Sequence, residues 1–155
     1  MSKARDTVLG LIAWASAAFI AYIFIDYLRF KFTGDDGSVW LFTILTDWLG
    51  FHGHEKFMRI GVGSMELAAS ILLFIPATQV VGAALALGIM TGAIFFHVFS
   101  PLGIDPYGDG GILFKEACTV WLSSLVILAI RRRRAIELLE RYMPFLPIPA
   151  RLRAG

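Results

Sequence analysis

Four stretches of this chain are apolar for close to the length of a bilayer crossing: Val8–Tyr27 (VLGLIAWASAAFIAYIFIDY), Phe57–Ile75, Val80–Phe99 and Ile112–Ile130. A helix that crosses a hydrocarbon core of about 30 Å needs about 20 such residues. Hydrocarbon offers no partner for a backbone N–H or C=O, so a crossing segment closes its own hydrogen bonds as a helix. The expected fold class is therefore all-α, a polytopic membrane protein built as an antiparallel four-helix transmembrane bundle. The composition agrees: 57% of the residues are hydrophobic, 17% are charged and the mean hydropathy is +0.72, against about 45–50% and about 25% in soluble domains.

Several signals set the limits of these spans. The first run follows Lys3 and Arg5 as a signal peptide would, but it is too long for one and continues into DYLRFKF without a small-residue cleavage site, so a retained span is expected. Pro76 closes the second span and Pro101 the third. Pro76-Ala77-Thr78-Gln79 is then the whole of a tight hairpin between them. Arg131–Arg134 follow the fourth span as a stop-transfer run, and seven of the fourteen Lys and Arg residues lie at or after Arg131. Counting basic residues near span ends puts both termini in the cytoplasm, with Arg29, Lys31, Lys56 and Arg59 weighing the other way. The expected location is the inner (cytoplasmic) membrane. Basic residues placed like this read as an anchor, and no nucleic-acid partner is expected.

Two shorter segments have amphipathic spacing. Ser38–Phe51 carries Trp40, Ile44 and Trp48 on one stripe, with Leu41, Leu45 and Leu49 alongside, and suits the outer headgroup layer after span one. Arg132–Met143 spaces Ile136, Leu139 and Met143 as a helix lying on the inner leaflet, before Pro144, Pro147 and Pro149. The domain division is thus a transmembrane unit at 7–134 and an amphipathic, Pro-rich cytoplasmic tail at 135–155.

Against this apolar background the ionisable residues stand out. Insertion costs about 2.5–3.5 kcal/mol for Asp, Lys or Arg at a helix centre, so such groups face a bundle interior and pair. Glu66 lies seven residues, about 10 Å, beyond Arg59 in span two. His97 precedes Pro101 by four residues, Lys115 and Glu116 open span four, and Lys31 follows span one. In an antiparallel bundle all of these fall in the outer half. Lys31, Arg59, His97 and Lys115 are the candidate partners of Glu66, which either fixes helix register through an ion pair or sits in a ligand or proton pocket. Gly88-Ile-Met-Thr-Gly92 is a GxxxG and reads as helix packing. Asp109 reads as the N-cap of span four. His52 and His54 make no metal site by themselves, and with Cys118 as the single cysteine there is no disulfide, CxxC pair or Cys-based metal site to expect.

Four of these segments together resemble the DoxX-like membrane proteins: Lys31-Phe-Thr-Gly, the run from Arg59 through Glu66 to Leu67, Gly88-Ile-Met-Thr-Gly92-Ala-Ile-Phe-Phe-His97, and Asp109-Gly-Gly-Ile-Leu-Phe. The similarity covers about Thr7 to Arg134. It implies a four-helix membrane bundle. It also implies kinship with a membrane subunit of thiosulfate:quinone oxidoreductase, with membrane components of thiol-redox, oxidative-stress or cofactor-maturation systems, and more distantly with a receptor-assembly chaperone. It transfers no catalytic residue set.

The leading functional expectation is a bacterial inner-membrane component of a quinone-linked or thiol/sulfur-linked redox system, with a quinone-like amphiphile in the outer half of the bundle. Glu66 and His97 are the expected proton relay. Lys31, Arg59, Lys115, Glu116 and Trp48 are the expected ligand-binding residues. The expected partners are the bilayer and a soluble or membrane redox protein, with homo-oligomers open. The rival expectation is a non-enzymatic scaffold or assembly factor. A small-solute transporter ranks below both, because the inner halves of the spans offer only Ser70, Ser123 and Ser124 as a polar path.

Overall fold

The computed structural model describes residues 3–142. Among them there are six helices and no strand: α1 (Lys3–Thr33), α2 (Asp36–Trp48), α3 (Glu55–Phe74), α4 (Gln79–Phe99), α5 (Ile112–Ile130) and α6 (Arg132–Tyr142). Of these, α1, α3, α4 and α5 are long and apolar enough to cross a membrane. Met143 and the three prolines of the expected tail lie outside the described residues.

Local chemistry explains the helix ends. Ile75 is extended (φ −98°, ψ 116°), the backbone preferred before a proline, so α3 stops one residue short of it. Ser100 is extended before Pro101 in the same way. The N-cap of α5 is Gly111, at a φ of +73° open to glycine, and not Asp109, which lies two residues earlier and accepts the N–H groups of Gly111 and Ile112 at its Oδ1, each at 3.0 Å. α1 runs further than its apolar stretch. Nothing in DYLRFKF breaks a helix, and Asp26 and Arg29 pair one turn apart at 3.6 Å. The helix continues until Gly34, whose φ of +75° turns the chain into α2. Its 31 residues make α1 roughly 46 Å long.

The four long helices form a ring in which α1 packs on α3 and α5, and α4 packs on α3 and α5. Neighbours run antiparallel all round. Trp14 stacks near Phe74, while Lys31 reaches Glu66 at the other end of the same pair. Trp121 Nε1 donates to Thr91 Oγ1 at 3.0 Å, and Arg131 meets Gln79. The core is a column of small and branched residues, with Ala17, Ala69, Ala83 and Ala86 between Ile20, Leu73, Val120 and Ile127. Small residues of this kind let neighbouring helices approach to close van der Waals contact.

The glycines divide differently from the sequence reading. Gly82, not the GxxxG pair, is the close-contact glycine. A Cβ there would sit 2.7 Å from the Leu73 backbone nitrogen and 3.0 Å from the Ala69 carbonyl oxygen. A Cβ at Gly88 or Gly92 would meet nothing within 4 Å. GxxxG spacing only aligns two residues on one helix face, and on α4 that face borders a cavity.

α2 packs mainly on α3. Phe42 and Leu45 form a second small core with Leu102, while Trp40 and Trp48 face outward. The Trp stripe and the buried stripe are thus different faces of one helix. α6 buries no residue.

Candidate functional site

At the α2 end the ring opens around a cavity of about 660 Å³. Its walls are apolar for the most part, including Phe24, Leu41, Phe42, Val62, Leu85 and Ile89. The size and character are those of small-molecule sites. Lys31, Glu66, His97, Glu116 and Tyr27 are set into these walls.

Lys31 stands in the last turn of α1 and Glu66 in the middle of α3. The Nζ lies 3.0 Å from Glu66 Oε2, and the two side chains are 12% and 5% exposed. Gly63 makes this approach feasible. It lies one turn before Glu66, and even a Cβ there would come within 3.4 Å of the Lys31 Cβ. Glu66 Oε2 is enclosed and accepts no hydrogen bond of good geometry among the described residues. At 3.0 Å the Lys31 ammonium supplies the countercharge to this oxygen.

Tyr27 lies four residues before Lys31 on the same face of α1, with Lys31 Nζ 5.3 Å from its ring centroid. Tyr27 Oη donates to Glu116 Oε2 at 2.6 Å across to α5. One ammonium and one phenol are thus shared between two carboxyl groups at the cavity wall. His97 approaches from α4. Its Nδ1 donates to the Gly103 carbonyl oxygen at 2.6 Å, since a carbonyl can only accept, and its ring meets Phe114 edge-on. With the proton on Nδ1, Nε2 of the neutral ring carries the lone pair.

Three of the expected ligand-binding residues stand apart from this wall. Arg59 is buried but points to the helix ends. Its Nε donates to Glu55 at 2.9 Å and its Nη1 to the Lys31 carbonyl oxygen, a group left over at the end of α1. Gly34 lies over the same guanidinium, where a Cβ would be 3.5 Å from Nη2. Lys115 is exposed beside the 103–111 loop, one helical step round from Glu116. Trp48 is 40% exposed and packs on Phe95 and Phe96, with ring centroids 6.1 and 6.0 Å away. His52 bonds Asp47 at 2.9 Å, and His54 bonds the His52 carbonyl at 3.0 Å. The hydroxyls of Ser70 and Ser124 donate to carbonyls one turn back in their own helices.

The loop between α4 and α5 closes the cavity end. Tyr107 Oη donates to the Gly37 carbonyl oxygen at 3.0 Å, and its ring lies 5.8 Å from that of Trp40. Desolvation, with Asp35 and Asp109 nearby, raises the Tyr107 pKa and keeps the phenol protonated. Desolvation pushes the Asp105 carboxyl up. The N–H groups of Gly111, Asp109, Gly110 and Gly108 together outweigh it and hold Asp105 below the ordinary carboxylate value.

No protein-family model, curated protein or solved structure matches the chain.

Proposed function

We propose that the four long helices span a bacterial inner membrane with both termini cytoplasmic, and that the cavity binds a quinone-like amphiphile as part of a redox system. The observation that carries this reading is the cavity itself: about 660 Å³ of apolar wall with a Lys–Glu pair, a Tyr–Glu pair and a histidine set into it. A quinone needs an apolar slot for its ring and tail, donors for its carbonyls, and protons. Reduction to the quinol takes two electrons and two protons. The electrons come from a thiol- or sulfur-linked redox partner. Lys31 donates to one carbonyl, and Glu66, Glu116 and His97 hold and pass protons. The DoxX-like motifs identified above support the same reading, because they span the helices that line the cavity. The basic residues at Arg131–Arg134 support the orientation.

Lipid mass spectrometry of the protein purified in mild detergent, followed by quinone titration, tests this. A co-purifying quinone and saturable binding are expected. Tyr27→Phe and Glu116→Gln should each weaken binding about tenfold, the worth of one hydrogen bond of about 1.4 kcal/mol. Absence of both quinone and saturable binding removes the reading.

The rival is a scaffold whose polar groups only hold helices together. It is favoured by Arg59, which joins α1 to α3 outside the cavity. Under that reading Tyr27→Phe and Glu116→Gln lower thermal stability and change nothing else.

A further inference from the structure

The end of the bundle opposite the cavity holds a second group of polar residues, to which neither the redox reading nor the scaffold reading gives a ligand. α4 begins there at Gln79, after the turn that carries Pro76 and Ala77. Its N-cap residue, Thr78, gives no side-chain cap to the helix. The Thr78 hydroxyl donates instead to the Leu72 carbonyl oxygen at 3.0 Å, closing α3. Gln79 is 2% exposed. Arg131, just past α5, donates from Nε to Gln79 Oε1 at 3.1 Å. That bond fixes which way the amide points, because a guanidinium can only donate. Gln79 Nε2 is left enclosed and without an acceptor among the described residues.

These groups border a recess of about 360 Å³ walled by Pro76, Ala77, Gln79, Val80, Arg131 and Arg134. Two guanidinium groups, an unused amide donor and an uncapped helix start meet there, and no acidic residue lines the wall. Arg134 also meets Glu137 at 3.3 Å, in an exposed pair of the kind that contributes little. An unmatched donor inside a basic recess calls for an anion with several acceptor oxygens. We propose that this recess is a phosphate-binding site and that it seats the phosphodiester of an anionic lipid headgroup. Guanidinium forks match phosphate oxygens two at a time, and a helix N-terminus favours the same charge. Ile75 and Val81, which flank the recess, are each 44% exposed and offer an apolar path for the acyl chains. The inference rests on the bundle lying in a bilayer and not on what fills the cavity.

The test uses the full chain in neutral detergent, stripped of lipid and titrated with phosphatidylglycerol, phosphatidylcholine or inorganic phosphate. Binding is read by native mass spectrometry and by the thermal shift. Phosphatidylglycerol should bind and stabilise more strongly than phosphatidylcholine. Arg131→Gln and Arg134→Gln should each weaken it roughly tenfold, as loss of a charge-assisted hydrogen bond does. Arg132→Gln, outside the recess, should change it less than about twofold by the same scale. Gln79→Leu is the variant to use if Arg131→Gln does not fold, and it should weaken binding in the same direction. If inorganic phosphate alone follows the same variant pattern, the site stands with the soluble ion as its source. Equal binding of both lipids, or an equal loss in Arg132→Gln, overturns the proposal. Quinone titration of the same variants keeps the two readings apart, because recess substitutions should leave cavity binding unchanged.

Discussion

Among the described residues Glu66 is held by one cation, Lys31. In a buried pair, removing one partner costs more than removing both, since the survivor remains desolvated. Lys31→Met should therefore destabilise the protein by about 3–5 kcal/mol, while Lys31→Met with Glu66→Met should recover most of that loss. Thermal melting of the three proteins in one detergent checks it, and a double variant less stable than Lys31→Met would contradict it. Asp105 makes a pH prediction. Its folded-state pKa is depressed, so its stabilisation is present above the ordinary carboxylate value of about 3.9 and is lost as pH falls through the folded value. Asp105→Ala should lower the melting temperature at pH 7, and the effect should shrink as the pH falls below the ordinary carboxylate value. A gap of constant size across the range would count against it. The pairing of Glu66 with a base was legible from the cost of an acid in an apolar run. Tyr27 was not, because an aromatic residue at the end of such a run looks like an interface anchor until Lys31, four residues on, is placed beside it. Lys115 and Glu116 were indistinguishable in a linear reading, yet about 100° of helix rotation per residue sends one outward and the other into the cavity.

Helix extents followed from prolines and apolar length, which is why α3, α4 and α5 agree with the expected spans within two residues at each end. α1 overran its apolar stretch because hydropathy reports solvent preference and not helix propensity. The glycines show the same limit, since spacing aligns residues on a face without saying what the face meets. Gly82→Val should force α3 and α4 apart and cost about 1–3 kcal/mol, the range for overpacking. Gly88→Ala enters open space and should gain up to about 1 kcal/mol from helix propensity. Melting curves for the two should move in opposite directions. Equal losses would mean that the α4 face at Gly88 is in contact after all.

On α4 the cavity wall runs from Ala84 to His97, while the recess borders Gln79 and Val80 at the start of the helix, so Gly88 stands about 13 Å along the axis from Gln79. A large side chain at Gly88 should fill the cavity without touching the distant recess. Gly88→Phe should retain the fold and the response to phosphatidylglycerol while losing quinone uptake. Parallel titrations read both, and joint loss would indicate global damage. The antiparallel ring has a further electrostatic result. At the cavity end, α1 and α4 finish while α3 and α5 begin. Each terminus carries roughly half a unit of charge, negative where a helix ends and positive where it starts. The two signs cancel, so the peptide backbone brings little net field to whatever occupies the cavity. The potential there is left to the side chains of the wall, Lys31, Asp35, Glu66 and Glu116 among them, so it is open to change by single substitutions that the scaffold does not offset.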